Sequence, residues 1–86
     1  MAGKAKHRVK VTINGEEYFI KGSMPPEHIK MIADYVDQKM SKLAEMNPYL
    51  STSKVAVLAA LNITDELFKI TQEYEEFLKL LEEVKD

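Results

Sequence analysis

The C-terminal segment constrains this chain most. From Ser51 through Asp86 the sequence has no Gly or Pro, so one helix over residues 52–86 would be roughly 50 Å long at 1.5 Å per residue. Apolar residues recur along it at alternating steps of four and three, the a and d spacing of heptads. This spacing predicts a coiled-coil helix. Its apolar ridge consists of Ala56, Ala60, Ile63, Leu67, Ile70, Tyr74, Phe77, Leu81 and Val84.

Further apolar residues flank the ridge. Residues 54–67 read KVAVLAALNITDEL, without a charge between Lys54 and Asp65, and Phe68 and Leu78 follow later. This apolar surface is wider than two-stranded pairing needs. We therefore expect the helix to contact more than one other helix.

The N-terminal part has the pattern of a β-hairpin. The segments RVKVTI and EEYFIK flank Asn14-Gly15, a pair that favours a type I′ turn because both positions need a positive φ. The two-residue loop sets the register of residues 8–21 and gathers apolar residues on one side. Because a two-stranded ribbon is not stable alone, that side must lie on helices or join another ribbon. The other side carries Arg8, Lys10, Phe19 and Lys21.

A first helix is predicted over residues 26–46. The PPE triplet at 25–27 suits a helix start, because Pro lacks only an N–H that the first turn leaves free and Glu favours the positive end of the helix dipole. An apolar stripe runs from Ile29 to Leu43, and the Asn-Pro pair at 47–48 ends the helix.

This first helix is too short to cover the second. Folded back antiparallel, it reaches only about the first five turns. Leaving the rest of the ridge in water would forgo about 1.5–3 kcal/mol for each side chain that could be fully buried, so we expect the chain to self-associate. This distal ridge consists of Ile70, Tyr74, Phe77, Leu81 and Val84.

Composition bounds the size and class of the protein. Its 86 residues are 45% hydrophobic and 30% charged, with no cysteine. This composition predicts one small ordered domain, and because so small a core is marginal, the domain needs stabilisation from a source other than a disulfide. No apolar run is long enough to span a bilayer, and the N-terminus lacks the apolar core of a secretory signal. We therefore expect a cytoplasmic protein with no membrane partner.

No constellation of catalytic residues stands out. His7 and His28 are the only imidazoles and have no Cys near them, so no metal site is predicted. The adjacent glutamates 75–76 and 82–83 diverge by about 100° around a helix and suit solvation better than acid and base roles. Isolated glycines offer no phosphate loop. The sequence thus predicts a protein that is not an enzyme and holds no cofactor.

Charge is unevenly distributed. Residues 1–22 carry five basic and two acidic groups, whereas residues 63–86 carry three basic and eight acidic groups. A strand followed by two helices suggests a dimeric ribbon-helix-helix DNA-binding protein as one alternative. An intramolecular hairpin and an acidic distal helix disfavour nucleic acid. A structural coiled-coil adaptor is the other alternative.

Three segments in order resemble the ZapA family. They are INGEEYFIKG, PPEHIKMIADYVDQKM and NPYLSTSKVAVLAALNITDEL, within residues 8–68. The resemblance implies a non-enzymatic cell-division protein at the mid-cell division site that binds the tubulin-like GTPase FtsZ. Such a protein cross-links and bundles FtsZ protofilaments, promotes Z-ring assembly and lowers GTPase activity. It also implies a homodimer that pairs into an antiparallel tetramer through the long helices.

In the family the contact with FtsZ is attributed to charged surface on the head. Position and charge make the candidates here Arg8, Lys10, Lys21, Lys39 and Lys42, with Glu16 and Glu17 beside the turn.

The expected fold is therefore α+β, a small head followed by a long C-terminal helix that forms an oligomeric coiled coil. We expect a flexible tail at 1–7, a head at 8–62 and the coiled-coil part of the long helix at 63–86. The head would contain the hairpin 8–21, the helix 26–46 and the start of the second helix.

Overall fold

The structure is a computed structural model that describes residues 7–85. Two strands are followed by two helices: β1 His7–Ile13, β2 Glu16–Gly22, α1 Pro26–Met46 and α2 Thr52–Lys85. This arrangement confirms the predicted α+β fold, with a hairpin and helix before one long helix. Residues 1–6 of the expected flexible tail lie outside the described residues. Its last residue, His7, is already in β1, so the strand begins one residue earlier than predicted.

The hairpin has the predicted turn and register. Asn14 and Gly15 have φ angles of 54° and 80°, the left-handed values that a type I′ turn requires at both central positions. Val11 pairs with Tyr18, and the antiparallel ladder extends from the turn to the strand ends. The dipeptide thereby fixes which side of the ribbon faces α1.

Only the β1 half of that apolar side is buried within the chain. Val9 and Val11 form one small core with Ile29 and Ala33 of α1. Tyr18 and Ile20, on the same side of β2, are exposed. The expectation that the apolar side lies on helices therefore holds for one strand, and the other strand is open to a further partner.

Local hydrogen bonds mark the end of α1 and the start of α2. The backbone N–H and side-chain amide of Asn47 both donate to the Leu43 carbonyl, at 3.0 Å each, which satisfies the C-terminus of α1. Ser51 caps α2, because its Oγ accepts the backbone N–H of Lys54 at 3.3 Å. The loop between the helices is consequently short and hydrogen-bonded.

A second small core joins the two helices near this loop. Met40 of α1 packs with Val55 and Ala59 of α2, and Ile13 contacts this cluster as well as the first. Every side chain from Leu67 through Val84 is exposed. Helix α1 therefore covers only the start of α2, as its length predicts.

A long-range hydrogen bond anchors the hairpin turn to α1. The backbone N–H of Asn14 donates to Asp37 Oδ1 at 2.7 Å. Bonds to a charged acceptor contribute more than neutral ones, and a part-buried donor left without its acceptor costs additional free energy. Asp37 thus holds the turn, and with it the whole ribbon, on the helix.

We expect Asp37→Ala to lower the free energy of unfolding by about 1–3 kcal/mol, because it removes the acceptor of the Asn14 N–H. Chemical denaturation at one fixed protein concentration measures this, since association contributes to apparent stability. Asp34→Ala is the matched control: Asp34 is exposed and, among residues 7–85, accepts a hydrogen bond only from Gln38 on its own helix. Equal effects of the two substitutions would contradict the anchoring role.

Candidate partner-binding surfaces

The outer face of the hairpin, turned away from α1, gathers basic side chains around an aromatic ring. The Arg8 guanidinium lies 4.6 Å from the centroid of the Phe19 ring, close enough for a cation–π interaction. Phe19 is 58% exposed. Lys10 forms an exposed ion pair with Glu17 at 3.1 Å, whereas Lys21 is opposite Arg8 in the ladder. The face therefore offers net positive charge beside an accessible ring.

Strand alternation separates the two glutamates at the turn. Glu17 lies on the outer face with Lys10. Glu16 lies on the opposite side, where its carboxylate accepts the Tyr18 hydroxyl at 3.3 Å. The candidate residues Glu16 and Glu17 consequently cannot act from one surface.

Lys39 is committed to a contact inside the chain. Its ammonium pairs with Glu66 of α2, and the Tyr35 hydroxyl donates to the other oxygen of the same carboxylate. Lys39 Nζ also lies 5.2 Å from the centroid of the Tyr35 ring. We call Tyr35, Lys39 and Glu66 the clasp. Lys42, one turn further along α1, is exposed, so the structure separates the roles of these two lysines.

The clasp shifts the proton affinities of its members. The hydrogen bond from Lys39, and next that from Tyr35, holds the pKa of Glu66 below its ordinary value. The same contact with Glu66 raises the pKa of Lys39 and that of Tyr35. These directions are those expected when a carboxylate accepts from a cation and a hydroxyl. Sequence reasoning missed Tyr35 and Glu66; the one available signal was the i,i+4 spacing of Tyr35 and Lys39.

The apolar ridge is distinct from the face of α2 that packs on α1. Val55 and Ala59 are buried against α1, while the neighbouring ridge residues Ala56 and Ala60 are exposed. Further along, Ile70 and the rest of the distal ridge are exposed as well. The intrachain contact is thus centred on other positions of α2: Ile63 is half-buried, and the other ridge residues are exposed.

An apolar groove connects the uncovered strand with the start of the ridge. It has a volume of about 370 Å³ and lies between β2 and the beginning of α2, lined by Tyr18, Ile20, Met40 and Ala56 among others. The exposed half of the hairpin and the ridge are therefore parts of one apolar surface. Contiguous exposed apolar surfaces are often sites of association between proteins.

Among residues 7–85, no group of three or more His, Cys, Asp or Glu side chains is placed to hold a metal ion. Within the same range, neither helix is both long enough and apolar enough to cross a membrane.

The chain matches the family model described as "Cell division protein ZapA" over residues 9–86. It belongs to the ZapA family. One ZapA relative, from Geobacillus kaustophilus, is 43% identical over all 86 residues, which cover 94% of that protein. Another, from Shouchella clausii, is 46% identical over 70 residues, 81% of this chain and 90% of the relative. Both are described as cell division proteins, which assigns this ZapA chain to cell division.

Solved structures share the fold. A ZapA mutant dimer from Geobacillus stearothermophilus has a TM-score of 0.72 and 39% identity, with 95% of each chain covered. A conserved bacterial protein of unknown function from Pseudomonas aeruginosa PAO1 has a TM-score of 0.65 and 29% identity, with 92% of each chain covered. The hairpin and long helix described above are therefore the architecture of ZapA chains.

The clasp predicts a specific pH dependence. A carboxylate whose folded pKa is depressed adds stability that is fully present above its unfolded pKa, about 4.3, and is lost as the pH falls through the folded pKa. We therefore expect wild type to exceed Glu66→Gln in thermal midpoint at neutral pH, with the difference shrinking below about pH 4. Asp65→Asn, which removes an exposed charge paired only with Lys69 on the same helix, is the control. A difference that stays constant from pH 7 to pH 3 would contradict the assignment.

Proposed function

We propose that this ZapA chain is a non-enzymatic division protein that binds FtsZ and cross-links and bundles its protofilaments. In this role it promotes assembly of the Z-ring at mid-cell in the cytoplasm and lowers the GTPase activity of FtsZ. The observation that carries the proposal is the separation of two surfaces. The hairpin presents a charged outer face, and the distal ridge of α2 is exposed well beyond it; we take residues 8–62 as the binding head and residues 63–86 as the coiled-coil part.

Self-association supplies the second binding head. The related ZapA mutant from Geobacillus stearothermophilus is a dimer, and the continuous apolar surface from β2 to the ridge here is the kind of surface that a second copy covers. The apolar width of α2 beyond the ridge, with Phe68 and Leu78 exposed, supports a further pairing of dimers into an antiparallel tetramer.

A rigid spacer with heads at both ends is a cross-linker by its geometry. The part of α2 beyond Glu66 adds roughly 27 Å of helix outside the head. Two weak contacts joined by such a spacer gain avidity, because the second binds at the effective concentration set by the first. This mechanism needs no catalytic group in the chain.

The outer face of the hairpin is the favoured contact surface for FtsZ. Arg8 and Lys21 present positive charge beside the exposed Phe19 ring, with Lys10 and Glu17 on the same face. Rim charges of this kind steer association and set specificity. Lys42 and Glu16 remain candidates from separate positions, whereas the charge of Lys39 is already paired.

We expect Phe77→Glu to lower the assembly state and abolish bundling while leaving the head folded, because it places an unpaired charge in the ridge. Light scattering behind a sizing column gives the mass, and sedimentation with FtsZ and GTP gives the bundles. Gln72→Glu adds the same charge on the side of α2 away from the ridge and serves as the control. Persistent bundling by Phe77→Glu would rule out the spacer mechanism.

Reversing Arg8 and Lys21 together to Glu should weaken co-sedimentation with FtsZ filaments without changing the mass of the oligomer, because both side chains are on the outer face. The control reverses Lys30 and Lys54, two exposed lysines on the helices. Unchanged binding by the hairpin variant would remove this face from the mechanism.

The two alternative functions give different outcomes with the unmodified protein. A salt-sensitive shift of duplex DNA, without co-sedimentation with FtsZ, would favour the DNA-binding alternative. Absence of both interactions would favour a structural adaptor. The structure bears on the first alternative, because both strands of the ribbon come from one chain, whereas a ribbon-helix-helix dimer builds its ribbon from two.

A further inference from the structure

We infer that the clasp of Tyr35, Lys39 and Glu66 sets the direction in which α2 leaves the head. The clasp thereby also determines the distance between two heads that are joined through α2. The part of this inference that concerns spacing of filaments rests on the proposed cross-linking function. The part that concerns the angle between head and helix stands on the chain alone.

The clasp lies at the last half-buried position along α2. Glu66 is half-buried, and every side chain from Leu67 through Val84 is exposed. The direction in which α2 extends beyond the head is therefore set by the packed residues up to Glu66.

The apolar contacts that precede the clasp are concentrated near the loop end of α2. They centre on buried Met40, Val55 and Ala59, with Val36, Leu43 and Leu50 partly buried around them, and Met40 itself is unbranched and flexible. Glu66 follows Ala59 by two helical turns, or about 10 Å. A contact at that distance from the small core limits changes in the angle between α1 and α2. It does so more effectively than additional contacts at the core itself.

The clasp also has the geometry of a directional restraint. Two donors on α1, one turn apart, reach the two oxygens of one carboxylate on α2. The ammonium is further held by the Tyr35 ring. Lys39 and Glu66 side chains are only 23% and 35% exposed, so water competes less for this pair than for a fully exposed one. Two bonds to one carboxylate limit rotation as well as separation of the helices.

Small changes at the clasp are amplified at the far end of the helix. Val84 lies eighteen residues beyond Glu66, about 27 Å away, so a tilt of about 10° displaces it by about 5 Å. An open apolar groove of about 380 Å³ beside the clasp, lined by Met31, Ile32 and Ile63 among others, leaves room for such a tilt. The geometry of the clasp thus affects the position of the far end of α2, and with it the distance between the heads of an assembly.

Pulsed electron paramagnetic resonance can measure the angle directly. The chain has no cysteine, so spin labels at Ser41→Cys on α1 and Glu75→Cys on α2, both exposed and outside the ridge, report one distance. Labelled chain is diluted into excess unlabelled chain so that the distance is intramolecular. We expect one narrow distribution for wild type, and a broadened and shifted distribution for Glu66→Gln and for Lys39→Met. Circular dichroism verifies that each variant is folded.

Two comparisons separate positioning from a general loss of stability. Asp65→Asn removes a neighbouring charge that does not connect the helices and should keep the narrow distribution. In the double variant Lys39→Glu with Glu66→Lys the charges are exchanged and the ion pair can form again. Its distance distribution should be narrower than that of Glu66→Gln or Lys39→Met. Unchanged distances in both Glu66→Gln and Lys39→Met, with the protein folded, would overturn the inference.

Electron microscopy of FtsZ bundles tests the consequence for filaments. If clasp variants with broadened distances make bundles of less regular spacing than Asp65→Asn does, the spacing role is supported. Regular spacing in those variants would show that the clasp does not set the spacing of filaments. The conclusion about the angle between head and helix would then rest on the distance measurements alone. If no version of the protein makes bundles, the proposed function fails while the distance measurements still decide the role of the clasp.

Discussion

The structure depends on how little of α2 is covered by its own chain. The contact with α1 uses Val55 and Ala59, and the clasp follows at Glu66. Beyond it, the helix presents apolar side chains on much of its circumference. Because the hydrophobic effect favours removal of that surface from water, the fold of one chain is incomplete as an energetic unit. The uncovered apolar side chains of α2 also serve as a surface for assembly, so a small protein needs no separate segment for that purpose.

The head follows a similar logic on a smaller scale. Ile13 contacts both cores and joins the ribbon to the pair of helices, while Asp37 holds the turn. The inner residues of β2 remain exposed beside the start of the ridge. An association surface that begins on the hairpin and continues along α2 therefore leaves the opposite, charged face of the hairpin free for a different partner.

Local signals determined what could be predicted from the sequence. Asn14-Gly15 fixed the register and the Asn-Pro pair at 47–48 the end of α1, because each acts through its own backbone neighbourhood. The incomplete cover of the hairpin and the clasp were not predictable in this way. Tyr35 and Glu66 are 31 residues apart, and their contact depends on the rotation of two helices about their axes. Neither spacing nor composition encodes that rotation. The contacts with FtsZ remain predictions, since charge alone does not distinguish a binding lysine from a solvated one.

The order of elements along the chain has a consequence for biosynthesis. Translation releases the hairpin and α1 before the distal ridge, because they precede it in the chain. The strand pair and the helix pair each join elements that are consecutive in the chain, and local contacts of this kind favour rapid folding. The hairpin and α1 of a nascent chain can consequently begin to fold before the exposed apolar distal ridge emerges. The interval in which that surface could engage unrelated unfolded chains is thereby kept short.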